Sequence, residues 1–150
     1  MKHYHITAIA FCLLMATHVS PGQERKFGLG LIFGEPTGVS AKYWLSSTTA
    51  LDFALGGGLF REGGVHFHMD YLWHSFDAIK STERFPVYYG VGGSINAEGE
   101  NSLAARGVIG VAWLSHDTPV DVFLEFAPTL RFSPSTDFVV EGGAGVRYFF

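Results

Sequence analysis

The sequence predicts an all-β fold, an eight-stranded antiparallel up-and-down barrel that crosses a membrane. Three observations predict it. Apolar residues recur at every second position through eight stretches separated by turn-like segments, and period two is the mark of a strand. Glycine makes up 19 of the 150 residues, roughly twice its ordinary share of about 7%. Charged residues are only 16% and aromatics reach 15%, whereas soluble domains carry about 25% charged residues. This balance suits a water-soluble globule poorly, and the apolar content is too high for disorder. The length bounds the chain to one domain. A net charge of -4 with no basic patch leaves no electrostatic footprint for nucleic acid.

The first segment, "MKHYHITAIAFCLLMATHVSPGQ", has the layout of a secretory signal peptide. Lys2 opens it, an apolar run follows from Ile6 to Met15, and the small residues Ser20 and Gly22 close it. The run is shorter than the ~20 apolar residues that a spanning helix needs. Cleavage is expected after Gly22, giving a signal peptide over 1–22 and a barrel domain over 23–150. Cys12, the only cysteine, lies inside the removed segment. Phe11 stands before it, where a lipoprotein signal requires a small residue, so Cys12 reads as filler.

The strands follow in order. "KFGLGLIFG" sets Phe27, Leu29, Leu31 and Phe33 against Gly28, Gly30, Ile32 and Gly34, and "EPTG" turns. "VSAKYWL" sets Val39, Ala41, Tyr43 and Leu45 against Ser40, Lys42 and Trp44, and "SSTT" turns. "LDFALGGGLF" sets Leu51, Phe53, Leu55 and Leu59 against Asp52, Ala54, Gly56 and Gly58, and "REGG" turns. "VHFHMDYLWH" alternates most clearly, with Val65, Phe67, Met69, Tyr71 and Trp73 against His66, His68, Asp70 and His74. "SFDAIKSTERF" is a longer polar connection to the fifth strand, "PVYYGVGGSI", after which "NAEGEN" turns. "LAARGVIGVAWL" places Ile109, Val111 and Trp113 opposite Arg106 and Gly110, and "SHDTP" turns. "VDVFLEFAPTLRF" places Val120, Val122, Leu124 and Phe126 opposite Asp121, Glu125 and Arg131, and "SPST" turns. "FVVEGGAGVRYFF" ends the chain, with Phe138, Val140, Val146, Tyr148 and Phe150 opposite Glu141, Gly143, Gly145 and Arg147.

A soluble lipocalin-like barrel also closes on eight strands, with its apolar face inward around a ligand. A transmembrane barrel reverses this and turns the apolar face to lipid. Here one face carries nearly every charge and most of the glycines, which cannot line a greasy cavity but can fill a narrow eight-stranded interior. The other face has no Lys, Arg, Asp, Glu or His on any strand, which does not suit contact with water. With the N-terminus at the periplasmic side, the outward Tyr43, Tyr71, Trp73, Tyr89, Trp113 and Tyr148 gather at that end. Such amphipathic rings prefer the headgroup level. The upper edge carries Phe33, Phe67 and Phe138 instead.

The sequence resembles the small eight-stranded outer-membrane barrels, the OmpA-like and OmpX-like class. "GEPTGVSAKYWL", "DYLWH", "DVFLEFAP" and "GGAGVRYFF" are similar to a family of small, porin-like outer-membrane barrels with no assigned activity. The resemblance covers Phe27 to Phe150 in architecture. It implies that Val146, Tyr148 and Phe150 form a C-terminal signal read by the barrel-assembly machinery. It also implies the outer membrane of a Gram-negative-type bacterium as the location and its lipid bilayer as a partner. The loops expected to face outward, "EPT", "REGG", "NAEGEN" and "SPST", are short, which argues against adhesion or receptor roles.

The lumen set is Lys42, Asp52, His66, His68, Asp70, His74, Arg106, Asp121, Glu125, Glu141 and Arg147. Folding the hairpins places Trp44 across from Gly28, Lys42 and His74 near Asp52, and Arg147 near Asp121. Buried charges cost several kcal/mol each unless paired and hydrogen-bonded, so a ladder of ion pairs is expected to plug the barrel. Mixed signs in a narrow tube thus read first as filling and second as a narrow channel for small solutes or ions. His66, His68 and Asp70 share one face and are a weak zinc candidate, but strand positions two apart lie nearly 7 Å from each other and no spacing supplies a closing ligand. No cofactor is expected. A lipid-modifying enzyme is the remaining alternative, although the outward positions carry no His. Ser115, His116 and Asp117 in "LSHD" are adjacent in a turn, a poor arrangement for a triad. The glycines at 56–58 are not followed by a Lys and a helix, as a phosphate loop requires, and fit barrel curvature instead. The sequence therefore supports a barrel with a structural or interaction role and leaves the functional partner unknown.

Overall fold

The computed structural model describes residues 25–57, 64–98, 100–133 and 135–150. The expected signal peptide and its cleavage site, Gly58 and Leu59, and most of the "REGG" turn lie outside the described residues. The elements are β1 (Phe27–Gly34), β2 (Gly38–Trp44), β3 (Thr49–Gly57), β4 (Val65–Ser75), β5 (Val87–Glu98), β6 (Glu100–Leu114), β7 (Val120–Ser133) and β8 (Asp137–Phe149). Each strand pairs antiparallel with the next, and β1 pairs with β8, so the sheet closes into a barrel with no free edge.

The alternation in sequence becomes an inside and an outside. In β7, Asp121, Phe123, Glu125, Ala127 and Thr129 are buried while the residues between them are exposed. In β8, Glu141, Gly143, Gly145, Arg147 and Phe149 turn inward, and Val146 and Tyr148 turn outward. The core therefore sits within the tube. Ile32, Ala54, Leu72, Tyr88, Val108, Ala112, Phe123 and Ala127 form its apolar part. Inward glycines make room for large rings. A Cβ at Gly28 would meet the Phe149 ring, one at Gly110 the Tyr88 ring, and one at Gly145 the Phe123 ring.

The hairpins differ from the simple folding expected in three places. Gly28 pairs with Lys42, not Trp44. The β1–β2 ladder ends at Ile32↔Gly38, because the turn is drawn toward β1 by Gly34 (φ 130°) and a side-chain clasp. In that clasp the Gly34 N–H donates to Thr37 Oγ1 at 3.0 Å, and the same hydroxyl donates to the Gly34 carbonyl at 2.9 Å. Asp52 faces Asp70, not His74. Among the described residues β3 runs to Gly57, whose φ of 98° a glycine adopts freely, and the pair Gly57↔Val65 belongs to a register in which Asp52 lies opposite Asp70. A third difference is in "NAEGEN": β5 continues through Asn96 and Ala97, and Asn101 and Ser102 belong to β6. The register of β6 with β7 shifts once, between Leu103 and Ala104, where β7 contributes an extra residue. The long connection after β4 is tied back to the barrel by an isolated bridge between Arg84 and Leu114.

Candidate functional site

The interior polar network is the most elaborate chemical feature of the described residues. Lys42, Asp52, Asp70, His74, Arg106, Asp121, Glu125, Glu141 and Arg147 are all buried. They belong to six of the eight strands, and strand parity alone turns them inward. Two guanidinium groups organise most of them.

Arg147 on β8 is 1% exposed. It grips Asp121 on β7 with two bonds, Nε to Oδ1 at 3.0 Å and Nη2 to Oδ2 at 3.1 Å. This is the planar fork that arginine matches to a carboxylate. Its Nη1 reaches across the lumen to Asp52 Oδ1 on β3 at 2.8 Å and to Ser40 Oγ at 3.4 Å. The guanidinium carbon lies 4.0 Å from the centre of the Phe123 ring, so a cation–π contact closes its remaining face.

Arg106 on β6 sits nearer the opposite end. Its Nη1 donates to Glu141 Oε2 at 3.0 Å and to His68 Nδ1 at 2.9 Å. Its Nε lies 3.1 Å from Asp70 Oδ1, close enough for an ion pair but not aligned for a hydrogen bond. Glu125 Oε1 is a further 3.8 Å contact, and the other oxygen of that carboxylate accepts from the Tyr88 hydroxyl at 2.9 Å. Because His68 Nδ1 accepts, its Nε2 carries the hydrogen, which lies toward Asp70 Oδ2 at 3.5 Å.

Lys42 departs from the expected ladder. It faces Asp52 in register, yet no carboxylate of the described residues stands within 4.0 Å of its ammonium. Its Nζ donates instead to His74 Nε2 at 2.7 Å, and His74 Nδ1 is 3.1 Å from the Thr48 carbonyl, to which it donates. The Trp44 and Tyr88 rings flank the ammonium at 4.6 and 5.2 Å. An aromatic box and a neutral imidazole thus take the place of the expected counter-ion.

The zinc candidate does not assemble. The described residues contain no group of three His, Cys, Asp or Glu side chains placed to hold a metal ion. The Arg106 guanidinium sits against both His68 and Asp70, and His66 meets His68 only edge-on, with ring centres 5.9 Å apart. The "LSHD" residues turn to other partners. Ser115 Oγ accepts from the Thr118 N–H at 3.3 Å, and His116 Nε2 lies 3.3 Å from the Thr82 carbonyl.

Sequence reasoning did not single out Tyr88, Ser40 or Phe123 as part of this network. Tyr88 had a readable signal: Tyr89 beside it belongs to the outward aromatic set, so period two turns Tyr88 inward. For Ser40 and Phe123 the inward parity was equally legible, but nothing in the sequence marks them as contacts of Arg147. At the rim, Val146, Tyr148 and Phe150 all face outward, and Phe150 packs on Tyr148 and Phe27 with ring centres 5.2 and 6.5 Å apart. Comparison with protein-family models, with curated proteins and with solved structures finds no match to this chain.

Proposed function

We propose that this chain is an integral outer-membrane barrel, exported by its N-terminal segment, that serves a structural or interaction role with its lumen sealed by the ion-pair network. One observation carries the reading. The outward positions of all eight strands, among the described residues, hold no Lys, Arg, His, Asp or Glu, and large apolar side chains stand exposed along every strand. The largest apolar patch on a soluble monomer is about 300–600 Å², and a girdle running right round a barrel has no such bound. The outward rings support the same reading. Trp73 stacks on Tyr89 at 5.8 Å and meets Tyr71 at 4.8 Å, at the end of the barrel where β1 begins and β8 finishes. That is the layout of an interfacial aromatic belt. On this reading Val146, Tyr148 and Phe150 present the outward pattern that the barrel-assembly machinery would recognise.

The packing of the interior favours a plug over the narrow channel. Side chains that line a conducting pore contact water, whereas Lys42, Asp121, Arg147, Leu72 and Tyr88 are at most 1% exposed. The test is to refold residues 23–150 in detergent micelles and compare boiled with unboiled samples on a gel. A heat-modifiable shift with a β-rich spectrum is expected, followed by no steady conductance in planar bilayers. A chain that stays monomeric and soluble without detergent would overturn the membrane reading, and a steady unitary conductance would restore the channel.

A further inference from the structure

The end of the barrel where β1 begins and β8 finishes opens into a cup of about 490 Å³. Its wall is mixed: Trp44, Phe76 and Phe149 contribute rings, and Ser46, Ser47 and Ser115 contribute hydroxyls. Its rim carries Arg25, Lys26 and Arg84. The cations come from two parts of the chain, the adjacent Arg25 and Lys26 just before β1 and Arg84 in the connection after β4, and backbone bonds fix both segments. The Trp44 N–H donates to the Lys26 carbonyl at 2.8 Å, and the Leu114 N–H donates to the Arg84 carbonyl at 2.9 Å. Arg25 Nη1 lies 3.4 Å from both the Tyr148 hydroxyl and the Phe149 carbonyl. The Arg84 guanidinium stands 5.5 Å from the centre of the Phe76 ring, and that ring lies 6.5 Å from Trp44.

None of these cations has a carboxylate within 4.0 Å among the described residues. Glu83, the acid next to Arg84 in sequence, accepts from the Trp113 indole at 3.1 Å on the outer wall. The contrast with the lumen is informative. Inside, carboxylates outnumber cations; at this mouth, positive charge stands beside aromatic and aliphatic side chains with no acid in the lining. A concave site with convergent like charges and aromatic walls selects an opposite charge attached to an apolar body. A volume near 490 Å³ lies within the usual range for a small-molecule site, about 300–1,000 Å³.

We propose that this cup binds a small amphiphilic anion, a carboxylate or phosphate on an apolar chain or ring, with the headgroup on Lys26 and Arg84 and the body against Trp44 and Phe76. Arg25, held by the end of β8, supplies the third positive charge. The site does not depend on where the barrel resides, because its residues line the mouth and not the outer girdle.

The test uses the folded barrel in nanodiscs of zwitterionic phosphatidylcholine, or in plain buffer if the chain proves soluble, so that a failure of the membrane reading is seen separately. The probes are 4-phenylbutanoate and the neutral 4-phenylbutanamide, followed by calorimetry and by tryptophan fluorescence. Phenylbutanoate is expected to bind with a Kd of about 0.1–1 mM, typical of so small a ligand, and the amide at least about tenfold more weakly. One exposed charge contributes modestly, so Arg84→Gln should weaken binding roughly threefold and Lys26→Gln with Arg84→Gln about tenfold. The Trp44→Phe variant should lose the fluorescence response and bind more weakly by calorimetry, because the Trp44 ring forms part of the wall. Replacing part of the lipid with phosphatidylglycerol separates the sources. Weaker probe binding identifies a lipid phosphate as the occupant, and unchanged binding identifies a free anion. Equal affinity for acid and amide, no binding of the acid, or wild-type affinity in the double variant would overturn the proposal. Lys26 and Arg84 are exposed and Trp44→Phe keeps an aromatic ring, so all variants are expected to retain the heat-modifiable fold, which the same gel checks.

Discussion

Replacing Arg147 by Met is the sharpest perturbation of the lumen. The methionine matches much of the aliphatic volume but removes the guanidinium. Asp121 then loses two bonds, at 3.0 and 3.1 Å, and Asp52 loses one at 2.8 Å. Two carboxylates, each at most 2% exposed, are left facing one another. Removing one partner of a buried ion pair costs about 3–5 kcal/mol, because the remaining charge stays buried and uncompensated. Here two charges are stranded, so the upper half of that range is expected. With a urea dependence of about 2 kcal/mol per molar, the unfolding midpoint should fall by roughly 2 M. The assay is equilibrium urea unfolding of the barrel folded into small lipid vesicles, read by gel mobility and tryptophan fluorescence. The decisive comparison is a triple variant, Arg147→Met with Asp52→Leu and Asp121→Leu. Replacing a whole buried ionic cluster by apolar groups is often neutral or stabilising, so this variant should recover most of the loss. A single Arg147→Met variant within about 0.5 kcal/mol of the parent, the range of ordinary surface substitutions, would refute the view that these ions hold one another in the lumen.

Three further outcomes are expected. Tyr88→Phe removes only the hydroxyl that donates to Glu125 at 2.9 Å, and should cost about 1.5–3 kcal/mol in the same unfolding assay, the scale of a hydrogen bond to a charged group. Gly110→Val puts branched carbons where the Tyr88 ring lies; overpacking costs about 1–3 kcal/mol or more, and the folded, fast-migrating band should diminish in refolding yield. Val91→Lys places a charge on the outer face of β5, at a position 59% exposed. In a bilayer it should cost about 2–4 kcal/mol, whereas on a water-facing barrel it should fall within about 0.5 kcal/mol; vesicle-based unfolding separates the two.

The strands and their two faces were written in the sequence, because a pleated strand sends successive side chains to opposite sides. That rule turns Lys42, Asp52, Arg106, Asp121 and Arg147 inward with no knowledge of the neighbours. Where a turn is short and symmetric it also gives partners across a hairpin. Asp121 and Arg147 meet as expected, and Lys42 stands opposite Asp52. The turns after β1 and β3 are not symmetric, and there the simple folding mispaired Trp44 with Gly28 and His74 with Asp52. The cup at the barrel mouth could not be read at all, since Lys26, Trp44 and the connection carrying Phe76 and Arg84 line one hollow only in the folded barrel.

The decisive contacts of the lumen skip strands. Lys42 on β2 bonds His74 on β4, Tyr88 on β5 bonds Glu125 on β7, and Arg106 on β6 reaches both His68 on β4 and Glu141 on β8. Arg147 on β8 bonds Asp52 on β3, 95 residues away and across the axis. In a flat sheet such residues would stand a full strand spacing or more beyond reach, about 4.8 Å per strand. Curling eight strands into a tube tilts their inward side chains toward one another. The sequence by itself determined which residues lie inside. Only closure of the barrel, through the pairing of β1 with β8, decided that Arg147 holds Asp52 and that Lys42 turns to an imidazole between two rings.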